Sequence, residues 1–185
     1  FPLMGNRPLT PLGREVLDAM AAARMALDVA HASRRTLAEL LAHPKTRPFC
    51  SHGGVVGANS SWRNLPDEAL KGIADKGGVV GIIFGTVFLG GKTFDDVARH
   101  LEHAIKVMGE DGVGLGSDFD GMVPLPKGMR DVRDLPRLTE GLLARGHSQA
   151  RVGRSAGTRH RSADPGGRRH RPRGRRKRGT VRPRR

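Results

Sequence analysis

One cysteine, Cys50, in 185 residues excludes an internal disulfide framework. No apolar run approaches the roughly 20 residues of a membrane span. The opening FPLMGNRPLT lacks an initial Met, a charged leader and a cleavage-like site, so it does not read as a signal peptide and suggests a chain entered partway along. Without a leader or anchor in these residues, the cytoplasm is expected in preference to export. Gly53-Gly54 and Gly90-Gly91-Lys92 lack the spacing of a Walker phosphate loop.

Net charge is also small over most of the chain, despite a formal net charge of +15. Residues 151–185 hold fifteen Arg or Lys against Asp164 alone, so +14 of the total sits there and residues 1–150 carry +1. From position 147 onward there is no aromatic residue and almost no large apolar one. Such a segment cannot bury enough surface to offset the entropy of ordering, so disorder is expected over 147–185. Its basic charge suits non-specific phosphate binding, which makes a nucleic-acid arm the alternative function. An Arg, Gly, Pro and Ala composition that breaks off inside a helical unit reads better as out-of-frame translation of GC-rich DNA, and no specific nucleic acid is expected as a partner.

Residues 1–146 show a regular alternation. Thr10-Pro11 gives an N-cap and a first-position proline, and Leu12, Val16 and Met20 recur at helical spacing. A strand is expected over 26–30, then a helix capped by Ser33 with Leu37, Leu40 and Leu41 as its stripe, ending at His43-Pro44. A second strand is expected over 48–51. Asp67 and Glu68 open another helix, which Gly77-Gly78 closes. The apolar run 79–84 reads as a buried parallel strand. Thr93 and Asp96 form a capping box before a helix with Val97, Leu101, Ile105 and Met108 on one face. A fourth strand follows over 113–117, and a last helix over 134–145 with Leu138, Leu142 and Leu143 inward. The expected fold class is α/β, with about four β-α units and parallel strands. A complete eight-unit barrel needs about 250 residues, so half of one is the better count.

Three of these strands stop at residues able to do chemistry: His31, His52 and Asp118. Imidazoles and a carboxylate at the C-terminal rim of a parallel sheet suit a metal and the proton of its water. Singly, each has a plainer reading as a hydrogen-bonded structural residue. Gly114 and Gly116 share a strand face with Asp118 and are expected to leave open space beside it. Arg63 follows His52 in a loop. It suits a substrate carboxylate, with surface pairing to Asp67 or Glu68 as an equal alternative. Asp120 is expected to be a loop carboxylate, His100 and His103 to be solvated, His43 to sit at a helix end, and Cys50 to fill space beside His52, open to oxidation.

LTPLGREVLDAM, LDVAHAS, PFCSHGG, WRNLPDEALKGIADKGGVVGI, FLGG, GVGLGSDFDG and DLPRLTEGLLARG together resemble, in order, the membrane dipeptidase (renal dipeptidase) family of zinc metallopeptidases. The resemblance covers nearly all of residues 8–146. It implies the C-terminal half of a (β/α)8 TIM barrel and a hydrolase of dipeptides, acting in proteolysis through a metal-bridging hydroxide and two Zn2+ per complete site. His31 and His52 match histidine ligands of the second zinc, Asp118 the acid that handles the water proton, and Arg63 the anchor of the dipeptide carboxylate. The family's His-x-Asp pair and bridging glutamate have no counterpart in this chain, so the fragment is expected to be inactive alone. A catalytically dead relative is a further alternative, and oligomeric state stays open. Gly53-Gly54 and Ile83 depart from the family's usual residues at those positions.

Overall fold

Capping chemistry sets the helix boundaries. In the computed structural model, which describes residues 6–156, helix α1 (Pro11–Ala22) starts where the Thr10 hydroxyl accepts the Gly13 N–H at 3.0 Å. Strand β1 (Ala26–Asp28) leads to α2 (Arg34–Ala42), capped by Ser33 through the Thr36 N–H at 3.1 Å. Strand β2 (Arg47–Gly53), α3 (Asp67–Asp75), β3 (Val80–Ile82), the short α4 (Thr86–Leu89), α5 (Phe94–Met108), β4 (Val113–Leu115), α6 (Leu135–Ala144) and α7 (Gln149–Ala156) follow. The capping box forms as read: the Asp96 carboxylate accepts the Thr93 N–H at 2.8 Å.

The strands make one parallel sheet in the order β1-β2-β3-β4. Strand β3 is buried at all three positions, as its unbroken apolar run requires. The core gathers Val29, Cys50, Val80, Ile82 and Phe84 from the strands and the residues after them, with Leu37, Leu40, Leu70, Ile73, Val97, Leu101 and Leu138 from the helices. Each fully buried aliphatic side chain contributes about 1.5–3 kcal/mol. Leu70, at 0% exposure, would cost about 2–5 kcal/mol as Leu70→Ala.

Three expectations change. The Leu12 and Val16 stripe of α1 faces outward, at 67% and 50% exposure, and the helix packs through Leu17 and Ala21 instead. In α6, Leu138 and Leu142 are buried but Leu143 is exposed. The ordered chain also continues past the expected boundary at 146. Helix α7 buries Val152 and lies against β4, although its Arg-rich sequence gave little sign of it. The rest of the basic segment, from 157, lies outside the described residues.

The pairing of β2 with β3 carries the feature that shapes the site. Cys50 pairs with Val80 and Gly53 with Ile82, so three steps on β2 match two on β3. Ser51 and His52 therefore lie in a β-bulge, a device that bends a strand and re-aims a side chain. Its cost appears on the neighbouring strands. A Cβ on Gly81 would stand 2.3 Å from the Ser51 carbonyl oxygen, and one on Gly116 would stand 2.0 Å from it. Only glycine fits beneath that carbonyl. Gly116 thus serves close backbone approach, and the expectation that it leaves open space beside Asp118 is not met.

Candidate metal centre

His31 follows the end of β1, His52 sits in the β2 bulge and Asp118 follows β4, so one rim of the sheet carries all three. The two imidazoles face each other, with Nε2 to Nε2 at 3.1 Å and ring centroids 5.0 Å apart at 63°. His52 Nε2 is 4.0 Å from Asp118 Oδ2. Arg63 comes from the loop after β2, and its Nη2 lies 3.4 Å from both His31 Nε2 and the Ala30 carbonyl oxygen. The structure thus brings all four predicted residues to one place.

Each is held by its surroundings. Asp118 adopts φ +58°, a left-handed conformation, and its carbonyl accepts the Gly121 N–H at 3.1 Å. A Cβ on Gly121 would stand 2.4 Å from the Asp118 carboxylate. Phe119 meets Phe84 edge to face at 5.8 Å, tying the loop to the end of β3. The Arg63 guanidinium lies over the Phe88 ring, 5.0 Å from its centre. Its Nε is buried without a partner, so the arginine retains an unspent donor. Asn64, directly after it, donates to the Asn59 carbonyl at 2.8 Å and the Phe88 carbonyl at 2.9 Å, fixing the loop. Arg63 turns to the histidines, whereas Asp67 pairs with His103 at 2.7 Å. The surface alternative with Asp67 is therefore not what the chain adopts.

Burial pushes the His52 imidazole below its ordinary pKa. Asp118 opposes this, while Arg63 and His31 reinforce it. The neutral ring is the metal-binding form. Two nitrogens each about 2.05 Å from a zinc at a tetrahedral angle stand about 3.3 Å apart. The observed 3.1 Å is close to that spacing, so the pair fits two ligands of one metal ion. Among the described residues no three His, Cys, Asp or Glu side chains converge as a complete metal-holding group. The donors fit part of a metal centre.

The remaining candidates fall into other roles. Asp120 is an exposed loop residue at φ +64°. His43 caps α2 and reaches Asp18 on α1 at 2.9 Å. His100 is not solvated: it is 0% exposed, its Nδ1 accepts the Val55 N–H at 3.0 Å and its Nε2–H donates to the Leu89 carbonyl at 3.2 Å. Charged neighbours in sequence hid its inward position. Cys50 is buried and its thiol is pushed up to about 12, by burial first and by the Asp28 charge next. Thiolate chemistry is suppressed there, against the expected oxidation sensitivity. Sequence reasoning missed Asp28, whose Oδ1 accepts both the Ala30 N–H at 3.1 Å and the Ser51 N–H at 3.0 Å. Its position three residues before His31 was the available signal.

Residues 4–158 match the profile of the membrane dipeptidase family, peptidase family M19. The chain belongs to that family. It is 37% identical over 148 residues to an uncharacterised protein of Klebsiella pneumoniae, covering 76% of this chain and 54% of that one. It is 37% identical over 138 residues to an uncharacterised dipeptidase of Schizosaccharomyces pombe, covering 72% of this chain and 33% of that one. Among solved structures it resembles a metallopeptidase from Rhodobacter sphaeroides bound to a phosphinate mimic of the dipeptide L-Ala-D-Ala. That match has a TM-score of 0.75 and 31% identity, over 81% of this chain and 44% of that one. The chain therefore spans about half or less of these relatives, and its four-stranded sheet is part of the family's TIM-barrel domain.

Proposed function

We propose that this chain is the part of a zinc dipeptidase that supplies two histidine ligands, a proton-handling acid and the substrate's carboxylate anchor. The observation that carries the reading is the 3.1 Å convergence of the His31 and His52 Nε2 atoms beside Asp118. When bound, a divalent metal supplies Lewis acidity at the peptide carbonyl and makes water a competent nucleophile at neutral pH. His31 and His52 would hold it through Nε2.

Asp118 stands beside His52 with its carboxylate toward the ligand pair, placed to take a proton from the attacking water and return it to the leaving amine. Arg63 brings its guanidinium to the same rim, with Nη2 3.4 Å from His31 Nε2, suited to the terminal carboxylate of a dipeptide. Its contact with Phe88 holds that group still. Two histidines are fewer than a zinc needs, so the isolated chain is expected to be inactive.

The test joins this chain behind the preceding half of a full-length relative. L-Ala-D-Ala is a suitable first substrate, given the mimic bound to the Rhodobacter relative. Zinc-dependent hydrolysis is expected, lost in Asp118→Asn and with a raised KM in Arg63→Ala. A folded chimera that binds zinc at His31 and His52 but cleaves no dipeptide would refute the assignment. Turnover by the unjoined chain near that of a full-length relative would refute the inactivity.

A further inference from the structure

One tight turn carries the substrate anchor and the chain's single tryptophan side by side. The Asn64 N–H donates to the Ser61 carbonyl at 3.1 Å, which leaves Trp62 and Arg63 as the two central residues of the turn. Both reach the same ring. The Arg63 guanidinium lies over Phe88, 5.0 Å from its centre, and the Trp62 indole meets Phe88 edge to face at 6.4 Å. Phe88 is held in turn by the loop, because the Asn59 and Asn64 side-chain amides each donate to its carbonyl at 2.9 Å.

Trp62 nevertheless stays 61% exposed. A single exposed apolar side chain needs no explanation on its own. Its place does. The Arg63 Nη2 beside it is 3.4 Å from His31 Nε2, at the rim where the candidate site opens, and small-molecule sites are lined by aromatic rings around a few polar anchors. A carboxylate held by Arg63 belongs to the C-terminal residue of a dipeptide. The side chain of that residue branches from the atom next to the carboxylate, so it emerges beside the rings that flank the guanidinium.

We propose that Trp62, seated on Phe88, is a specificity-determining residue: its ring receives the side chain of the dipeptide's C-terminal residue, so that an apolar residue is preferred there over glycine. This rests on the carboxylate-anchor reading of Arg63 given under Proposed function. A Trp62 that only braced the loop would move stability and leave the choice of ligand alone.

The experiment uses the full chain and N-acetylated amino acids, which reproduce the C-terminal residue with its amide and its carboxylate. Affinities are read from ligand proton spectra, and the emission of Trp62 reports contact, since the chain has no Tyr and no second Trp. N-acetylleucine should bind about 3–10-fold more tightly than N-acetylglycine, as partial burial of a leucine side chain supplies, and should shift the Trp62 emission to shorter wavelength. Trp62→Ala should bring the two affinities within about 2-fold of each other, and Trp62→Phe should restore part of the difference. Equal affinities in the parent, or a preference that survives Trp62→Ala in full, overturns the proposal. If Arg63→Ala then releases both ligands, the anchor reading still stands. N-acetylleucinamide lacks the carboxylate, and its binding as tightly as N-acetylleucine would remove the anchor reading and the subsite with it. A parent that binds neither acid removes both as well.

Discussion

Two histidines, His52 within β2 and His100 bonded to the loop after it, use the imidazole in opposite senses. His100 is fully buried on α5, with both ring nitrogens spent on backbone groups. His52 spends only Nδ1, on Ser51, and turns Nε2 toward His31 at the open rim. The first carries its proton on Nε2, because Nδ1 accepts the Val55 N–H. Burial lowers the pKa of both, but only His52 turns a ring nitrogen to the open rim. The difference between the two histidines lies in whether the ring nitrogens meet backbone groups in the core or side chains at the rim.

That contrast predicts a clean separation of stability from binding. His100→Ala strands the Val55 N–H and the Leu89 carbonyl in the core and leaves a cavity, at a cost of about 4 kcal/mol in urea unfolding. His52→Ala should move the same midpoint by under about 1 kcal/mol, because its Nε2 supports no fold contact with backbone. Comparable losses in the two variants would break the comparison.

Zinc reverses the order. The parent chain should gain thermal stability on adding Zn2+, and the gain should vanish in His31→Ala and in His52→Ala. Gly116→Ala lies between the two classes. Its Cβ would meet the Ser51 carbonyl at 2.0 Å, so the bulge must flatten, lowering stability by about 1–3 kcal/mol and weakening zinc binding together. A Gly116→Ala chain with parental zinc affinity would show that the bulge does not aim His52.

The smallest expected effects are in pH. His100 has a folded pKa below 6.5, so its stabilising contribution is complete above 6.5 and is lost as pH falls through the lowered value. The urea midpoint should decline on acidification below 6.5, and this decline should be absent in His100→Asn. Glu102 is held to about 2, chiefly by hydrogen bonds from Arg145, opposed by burial and helped by His147. Its contribution is present above 4.5 and disappears as pH falls toward 2, and Glu102→Gln should flatten that second decline.

Much of this arrangement was visible in the residues alone. Thr10, Ser33 and the Thr93–Asp96 box announced helix starts through local hydrogen bonds, and the 79–84 run announced a strand buried on both faces. The strand-end placement of His31, His52 and Asp118 followed from counting elements. Non-local facts were not readable. That Gly116 lies under the Ser51 carbonyl depends on a bulge one strand and a neighbour away. That Asp28 reaches Ser51 depends on the β1–β2 register. His100 was hidden because its burial is set by α5 packing on the β2 loop, and nothing in ARHLEHAI marks which histidine turns inward. Leu12 and Val16 misled for the converse reason: helical periodicity marks an apolar stripe without saying what lies opposite it.

The most direct test of the central claim is a zinc titration of the full chain followed at the histidine ring nitrogens. The account predicts that His31 and His52 Nε2 shift together and saturate at one concentration, with His100 unchanged. Zinc that binds without moving both of those nitrogens, or that moves only one of them, would contradict it.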